Sequence, residues 1–320
     1  MSGLLVTGAS GFVGGALAER LAADGHRLRL ALRARPVTLP PATEAFIHGD
    51  LGEAIDWTPA LAHIDGVVHC AARVHVMAET AAEPLAEFRC CNVEGTLRLA
   101  RAAAAGGVRR FVLISSIKVN GESTVPGRPF TALQAPAPID PYGISKWEAE
   151  QQLRKLSAET GMEVVIIRPV LVYGPGVKAN FLNMMKWLYK GAPLPLGAIH
   201  NKRSLVALDN LIDLIVTCID HPRAANQTFL VSDGEDLSTT ELLQRMSQAL
   251  GKRPRLLPVP AWMLETAAKV VGKQSIAQRL CGSLQVDISY TRERLGWTPP
   301  ISVDAALRKT AQHFLEQQKK

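Results

Sequence analysis

A tyrosine and a lysine four residues apart are the side chains of this sequence best suited to proton transfer. Tyr142 and Lys146 stand in the stretch PYGISK, which we expect to open a helix that runs to about Gly161. Residues at positions i and i+4 of a helix share one face, so the ammonium lies near the phenol. A neighbouring positive charge favours phenolate and lowers the phenol pKa from about 10. The pair is therefore predicted to act as the general acid and base of an alcohol–carbonyl interconversion.

Two serines follow the hydrophobic stretch RRFVLI and precede the Tyr142 segment along the chain. Ser115 and Ser116 open the stretch SSIKVNG, at the end of what we expect to be a buried strand. A hydroxyl at that point can donate a hydrogen bond to a substrate carbonyl and polarise it. We assign this role to Ser116.

The elements that must position these side chains alternate between strand and helix. Short apolar runs, among them GLLVT, DGVVHCAA, RRFVLISS and MEVVIIRPV, are separated by helix-like stretches. Continuous apolar strands that alternate with helices predict an α/β fold with a parallel sheet covered on both faces. After Tyr173 the rhythm loosens into stretches rich in glycine and proline.

The stretch VTGASGFVGG follows the first predicted strand directly and opens the first helix. Gly8 permits the tight turn, Gly11 lets the backbone approach a pyrophosphate, and Gly14 lets the helix pack on the sheet. The helix N-terminus also offers free N–H groups to phosphates. We therefore predict a Rossmann-type doubly wound parallel sheet with a dinucleotide site. Further residues of this turn assigned to the cofactor are Ser10, Phe12 and Val13.

These elements suggest two regions of unequal size. We expect an NAD(P)-binding domain over residues 1–173, to which residues 205–232 return. Residues 174–204 and 233–320 are expected to form a smaller, mainly C-terminal substrate-binding region.

The end of the second predicted strand bears on which dinucleotide binds. Leu32 stands where an acid would accept a hydrogen bond from the 2′-hydroxyl of NAD, and Arg33 and Arg35 follow it. Because arginines suit a 2′-phosphate, we favour NADP(H), while NAD(H) stays open if both arginines are solvated. Asp50 ends the third strand and is expected to bind the adenine amino group, with a turn-forming role as the alternative.

Composition and charge exclude several classes of protein. The 320 residues are 47% hydrophobic and 20% charged, a balance typical of globular proteins. The net charge is +7, but the basic residues are scattered, so we expect an anionic small ligand and no nucleic acid. The five cysteines form no CxxC pair, and no metal-ligand spacing is present. Without a signal peptide or an apolar stretch of membrane-spanning length, we expect a cytoplasmic protein without membrane insertion.

Together these motifs resemble the extended short-chain dehydrogenases/reductases of the NAD-dependent epimerase/dehydratase type. The resemblance covers nearly the whole chain, and the matching pieces are VTGASGFVG, GDL, HCAA, NVEGT, SSIKVNG, YGISK, RPVLVYGPG, RSLVALDNLIDLI and RERLGWTP. One departure stands out, because Asn120 occupies the place of the tyrosine in the family pattern S-x-x-V-Y-G.

The resemblance implies roles for individual residues. It assigns catalysis to Ser116, Tyr142 and Lys146. Its further cofactor residues are Leu51, Ala71, Ala72, Arg73, Asn92, Ser115, Tyr142, Lys146, Arg168, Pro169 and Val172. For the diphosphate of a nucleotide-sugar it implies Asn180 and Arg203, with Lys178 and Arg292 as further candidates. We also assign Lys118 and Asn120 to the substrate, with solvent as the alternative for Lys118.

The resemblance also implies a reaction. SSIKVNGE and DPYGISKWEAE look most like 4-ketoreductases of bacterial surface-polysaccharide (O-antigen) synthesis. Such an enzyme reduces a UDP-linked 2-acetamido-2,6-dideoxy-4-hexulose with NAD(P)H to a UDP-N-acetylquinovosamine or UDP-N-acetylfucosamine. One alternative is a UDP-sugar 4-epimerase with tightly bound NAD. A more distant one is a non-catalytic dinucleotide-sensing protein, which the intact Ser116, Tyr142 and Lys146 disfavour. A homodimer through the helices carrying Asn92 and Tyr142 is also implied.

Overall fold

A seven-stranded parallel sheet forms the centre of the fold, in the order β3-β2-β1-β4-β5-β6-β9. The computed structural model describes residues 3–34, 39–41, 43–74, 83–125, 127–272 and 274–319. Strands β10, β8 and β7 form a separate three-stranded sheet. The strands are β1 Gly3–Thr7, β2 Arg27–Leu32, β3 Thr43–Ile47, β4 Gly66–His69, β5 Arg110–Ile114, β6 Glu163–Pro169, β7 Leu171–Tyr173, β8 Arg203–Ala207, β9 Thr228–Val231 and β10 Asp236–Leu237.

Helices cover both faces of the large sheet and build the rest of the molecule. They are α1 Phe12–Ala23, α2 Thr58–Leu61, α3 Pro84–Arg89, α4 Thr96–Ala105, α5 Pro141–Thr160, α6 Ala179–Tyr189, α7 Leu208–Asp220, α8 Thr239–Ala249, α9 Ala261–Val270, α10 Gln274–Cys281, α11 Ser289–Leu295 and α12 Val303–Gln318. A π-helical stretch, Cys90–Gly95, joins α3 to α4, and 3-10 turns lie at Ile117–Val119 and Pro222–Ala224.

Two apolar cores sandwich the large sheet, as continuous hydrophobic strands require. On one face, side chains of α1 and α7 such as Leu17 and Leu211 pack on the sheet with Val6. On the other, Leu99 of α4 and Leu153 of α5 pack with their own set of strand residues. The predicted α/β, doubly wound architecture is confirmed.

A third core lies under the small sheet and is built by α6, α8 and α12 with the strands β7, β8 and β10. Tyr173, Met185, Leu243 and Phe314 are among its buried members. Strand β9 comes late in the chain yet pairs with β6 in the large sheet. The division into an NAD(P)-binding domain and a substrate-binding region stays a prediction.

Parallel register brings the carboxyl ends of the central strands to one edge. Thr7 of β1 is aligned with His69 of β4, and His69 with Leu113 of β5. Loops that leave these ends therefore meet above the same edge, where ligands of such sheets bind. No helix in the described part of the chain is long and apolar enough to cross a membrane.

Candidate active site

The turn between β1 and α1 brings backbone, without side chains, to the edge of the sheet. Gly8 has φ +69°, and a Cβ there would lie 2.7 Å from the backbone nitrogen of Ala71. A Cβ on Gly14 would lie 2.3 Å from the Gly8 carbonyl oxygen. Gly11 caps α1 in extended conformation with no side chain on the first-turn amides. These amides stay open to an anion, so the turn fits the pyrophosphate of a dinucleotide.

Helix α5 begins where the sequence predicted and carries the proposed acid–base pair. Asp140 caps it by accepting a hydrogen bond from the Gly143 amide at 2.6 Å, and Pro141 occupies the first turn. Tyr142 is half-buried in that turn, and Lys146 follows it on the same face with only 1% of its surface exposed. The cap therefore determines where the phenol sits.

The pKa of Tyr142 differs from the sequence-based expectation. Burial raises it to about 12, and this outweighs the lowering by the hydrogen bond with Ser116; Asp140 raises it further. The expected lowering by Lys146 was wrong for the ligand-free chain, because desolvation penalises the phenolate more than nearby groups stabilise it. Tyr142 is thus a protonated acid in the free protein.

Lys146 shows the reverse shift for the same reason. Burial lowers its pKa to about 8, while the charges of Glu150 and Cys70 raise it. The lysine is therefore a buried cation that loses its proton slightly above neutral pH. Its charge depends on the carboxylate one turn further along α5.

Ser116 lies where strand β5 ends and caps the short 3-10 turn that follows. Its hydroxyl accepts a hydrogen bond from the Lys118 amide at 3.2 Å, and its side chain also hydrogen bonds with Tyr142. The structure therefore brings Ser116 and Tyr142 into contact, with Lys146 one helical turn away. A substrate oxygen placed between the two hydroxyls would be within reach of both.

The ammonium group of Lys118 lies between two carboxylates of the protein. It is half-buried and pairs with Asp140, the cap of α5, and with Glu122 at 3.2 Å. It thus ties the 3-10 turn of Ser116 to the start of the Tyr142 helix. The substrate role assigned to Lys118 and its solvent alternative both stay predictions.

Asn120 and Arg168 belong to one buried network. The Arg168 guanidinium donates to the Asn120 side-chain oxygen at 2.9 Å and to both carboxylate oxygens of Glu150, at 2.9 and 2.5 Å. Glu150 also accepts from the Ser115 hydroxyl at 2.5 Å, and Asn120 donates to the Thr131 carbonyl at 3.2 Å. The side chains of Ser115, Asn120 and Arg168 are therefore engaged with protein groups, and their assigned ligand contacts stay predictions.

Asn92, in the π-helical stretch, connects two other segments through its side-chain amide. Its oxygen accepts from the Arg73 amide at 2.8 Å, and its nitrogen donates to the Arg73 carbonyl and the Ser145 hydroxyl, both at 3.0 Å. Sequence analysis placed Asn92 on a helix and gave no sign of a π turn. The π turn rotates Asn92 to a nearly fully buried position where it joins the loop after β4 to α5.

His69 completes a chain of hydrogen bonds through the sheet edge. Its Nδ1 lies 2.8 Å from the Thr7 hydroxyl and its Nε2 lies 3.0 Å from the Thr96 hydroxyl. Because Thr96 donates to the Asn92 carbonyl, Nε2–H must donate to Thr96, and Thr7 must donate to Nδ1. Burial lowers the His69 pKa to about 3, so the ring stays neutral. His69 is therefore a buried structural residue whose two ring nitrogens are both engaged with threonine hydroxyls.

The predicted adenine end is more exposed. Asp50 accepts a hydrogen bond from the Gly52 amide at 2.9 Å. This bond is the main reason that the pKa of Asp50 is lowered, and the charge of Arg33 lowers the pKa slightly further. The Leu51 carbonyl accepts from Arg98 at 2.7 Å. Arg35 lies outside the described residues.

The predicted substrate residues are spread over several elements. Lys178 and Asn180 are exposed at the start of α6, and Arg292 is exposed in α11 beside Gly234. Arg203 is half-buried and donates to the Gly282 carbonyl at 3.0 Å. No described contact joins these four to Tyr142, and their binding roles stay predictions. The cofactor roles of the remaining assigned residues also stay predictions; these residues are Ser10, Phe12, Val13, Ala71, Ala72, Pro169 and Val172.

Sequence reasoning missed Glu150 and Asp140. Glu150 is fully buried and lies four residues after Lys146, which lies four after Tyr142, so all three share one face of α5. That spacing was a usable signal. Asp140 precedes a proline at the first helical position, which is typical of a helix cap. In the described ranges, no group of three histidine, cysteine or acidic side chains could hold a metal.

Comparison with known proteins supports these observations. The model of the NAD dependent epimerase/dehydratase family matches residues 4–232. A curated UDP-glucose 4-epimerase from Vibrio cholerae is 50% identical, covering 98% of this chain and 95% of the relative. The structure of a UDP-glucose 4-epimerase from Thermotoga maritima with UDP-glucose matches with TM-score 0.78 and 22% identity over 99% of both chains. That of a UDP-glucuronic acid 4-epimerase from Bacillus cereus with NAD matches with TM-score 0.79 and 19% identity, over 99% of this chain and 100% of the other.

Proposed function

This chain belongs to the NAD dependent epimerase/dehydratase family, and from that premise we propose that it is a UDP-sugar 4-epimerase. It is an NAD-dependent enzyme of that family. The observation that carries the proposal is the 50% identity with the Vibrio cholerae UDP-glucose 4-epimerase over nearly the full length of both proteins. Further support comes from the hydrogen bond between Ser116 and Tyr142 and from the position of Lys146 one turn along the same helix. We therefore infer UDP-glucose or UDP-N-acetylglucosamine as the type of substrate.

The comparisons support this alternative better than the 4-ketoreductase that sequence analysis placed first. Both reactions use the same three side chains, which is why motif spacing could not separate them. A 4-ketoreductase stays a prediction without support among the relatives described above. A purely sensory protein is disfavoured because the hydroxyl contact between Ser116 and Tyr142 and the buried Lys146 are retained.

The site residues have a consistent role in both directions of a 4-epimerisation. Tyr142 takes the proton of the sugar 4-hydroxyl and returns it, while Ser116 donates a hydrogen bond to the same oxygen. NAD, when bound, supplies the reversible hydride acceptor, and its oxidised ring brings a positive charge. A positive charge beside the phenol, together with the Lys146 ammonium, would favour the phenolate against the burial that raises the Tyr142 pKa to about 12.

For the cofactor we propose NAD(H), rather than the NADP(H) favoured by the sequence. The support is the NAD held by the Bacillus cereus UDP-glucuronic acid 4-epimerase, whose structure matches this chain over 99% of its length. The turn at Gly8 fits the pyrophosphate of either dinucleotide. Denaturing the purified protein and identifying the released nucleotide by mass spectrometry distinguishes the two. The cytoplasmic location and the homodimer stay predictions.

The reaction itself can be tested without added cofactor. Purified protein is incubated with UDP-glucose or UDP-N-acetylglucosamine, and the 4-epimer is measured by NMR. We expect an equilibrium mixture, and a loss of about 10²–10⁴-fold in rate for Tyr142→Phe, the loss typical of a removed acid–base group. Tyr189→Phe removes the same atom in α6 and serves as the control. Stoichiometric oxidation of NADH or NADPH by a UDP-4-keto-6-deoxy sugar, with no epimerisation, would refute the proposal in favour of the reductase.

A further inference from the structure

Helices α9 and α10 form a hairpin that leaves large apolar side chains in solvent. No residue of α9 is buried. The exposed fractions are 66% for Trp262, 46% for Met263, 83% for Val270 and 64% for Val271, and Ile276 of α10 is 49% exposed. We call these five side chains the hairpin face. Exposed apolar residues grouped in this way mark an interaction site, whereas scattered ones do not.

The opposite side of the hairpin fixes it to the protein. Ala261 and Leu264 of α9 pack against the core under the small sheet, as do Leu280 and Cys281 of α10. Positions 261 and 264 are three apart and share one face of the helix, so Trp262 projects from a different one. The hairpin is thus anchored on one side and apolar on the other.

The surroundings of the hairpin are strongly basic. Residues 252–281 include six lysines and arginines and a single acid, Glu265, so they hold most of the +7 net charge of the chain. Arg253, Arg255, Lys269 and Arg279 are exposed. Within the described ranges, none of these four forms an ion pair with a carboxylate. Their charges are available to an external partner.

The surface that best complements an apolar helix face flanked by exposed lysines and arginines is an anionic lipid bilayer. Apolar side chains enter the boundary of the acyl chains, tryptophan favours the interface, and lysines and arginines meet the headgroups. Helix α9, with ten residues, is too short to span the bilayer. A second copy of this chain would bring like charges together, and a nucleic acid would leave the apolar side chains without a partner.

The segment that follows the hairpin is hydrogen-bonded to the loop that precedes α5. The segment after α10 accepts hydrogen bonds through the carbonyls of Ser283 and Gln285, from the amides of Thr124 and Phe130, both at 2.9 Å. The loop that contains Thr124 and Phe130 continues to the cap of α5. This loop also contains Ile139, which lies three residues before Tyr142 and has 71% of its surface exposed. The hairpin and the mouth of the candidate active site are therefore neighbours.

We propose that the hairpin face docks this enzyme peripherally on an anionic membrane surface, with the active-site loop beside the docked helices. The inference stands on exposure and charge and does not depend on which UDP-sugar is the substrate. It places the reaction at the membrane surface.

Vesicle sedimentation of the full-length protein tests the proposal. We expect binding to vesicles of phosphatidylglycerol and phosphatidylethanolamine, none to phosphatidylcholine alone, and weakening by high salt. The double variant Trp262→Ser/Val270→Ser should lose at least tenfold in partition coefficient. Arg253→Gln/Arg255→Gln should lose about fivefold for each charge removed. Ile47→Ser, on the edge strand β3 and 46% exposed, and Lys155→Gln on α5 are the matched controls.

Two results would overturn the proposal. One is no binding to anionic vesicles above the phosphatidylcholine background, or equal losses in the control variants. The other is a change in molar mass by light scattering in Trp262→Ser/Val270→Ser without vesicle binding by the parent, which would make the face a contact between copies. Turnover of UDP-sugar in free solution should be unchanged in the Trp262 variant, so a failed docking test remains distinct from a failed activity.

Discussion

Replacing Glu150 by glutamine tests the buried network beside Lys146, the proposed catalytic lysine. Glu150 is fully buried, Arg168 is 2% exposed, and the two are joined by hydrogen bonds of 2.9 and 2.5 Å. Glu150→Gln keeps the shape but removes the charge, and it turns one acceptor towards Arg168 into a donor. Breaking a buried ion pair by neutralising one partner costs about 3–5 kcal/mol. That is a large share of the roughly 5–15 kcal/mol that stabilises a typical protein.

The same substitution should move the pH dependence of turnover. Burial lowers the pKa of Lys146 to about 8, and the charge of Glu150 opposes this by raising it. Without that charge the Lys146 pKa falls, so the ammonium is lost at lower pH. The alkaline limb of the pH–rate profile is therefore expected to shift towards neutral pH. A merely structural role for Glu150 would lower the denaturation midpoint and leave this limb in place.

Glu148→Gln provides a matched control on the same helix. Glu148 pairs with Arg89 at 2.6 and 2.8 Å, but the pair lies at the surface, where ion pairs contribute little. We expect guanidinium denaturation to show a clear loss for Glu150→Gln and almost none for Glu148→Gln. The apolar pair Glu150→Leu/Arg168→Met should recover much of the stability but not the pH profile. Equal midpoints for Glu150→Gln and Glu148→Gln would refute the reasoning.

Three further predictions concern single residues. Gly8→Ala should abolish retention of dinucleotide, measured as the absorbance of co-purified nucleotide, because a Cβ would lie 2.7 Å from the Ala71 nitrogen; Gly107→Ala, also at positive φ but with no atom within 4 Å, should retain it. Lys146→Met should raise the melting temperature at neutral pH while activity is lost. The pKa of Lys146 is lowered from 10.5 to about 8, so parent stability should rise from pH 8 to pH 10.5, and the variant should lack that rise. His69, with a pKa of about 3, should stay neutral and protonated on Nε2 at pH 5 in nitrogen NMR; a doubly protonated ring at that pH would contradict the hydrogen-bond chain.

Local patterns were sufficient to predict most strands and helices and to select the candidate catalytic residues. Doubly buried strands need continuous apolar runs, and a tight turn before a helix needs glycine, so the large sheet and the Gly8 turn could be predicted from neighbouring residues alone. The spacing of Tyr142 and Lys146 is also local, because one helical turn separates them. The π turn at Cys90–Gly95 was missed, since Asn92 within it is held by distant groups such as Ser145.

The electrostatics of the site could not be predicted in the same way. The phenol pKa depends on how deeply Tyr142 is buried, and this is decided by packing, with a result opposite to that expected from the adjacent lysine. The role of Lys118 likewise depends on Asp140, which lies 22 residues later.

The amino-acid sequence by itself therefore determined the fold and pointed to the glycine turn and to the three residues of the candidate acid–base site, because each depends on short-range geometry. Only the tertiary structure decided which distant side chains contact these residues. Asn120, unexplained by its motif, meets Arg168 from 48 residues away, and Thr7 meets His69 across 62 residues. Such pairs form only when parallel strands place their carboxyl ends side by side, and in that dry setting the partners determine which groups carry charge.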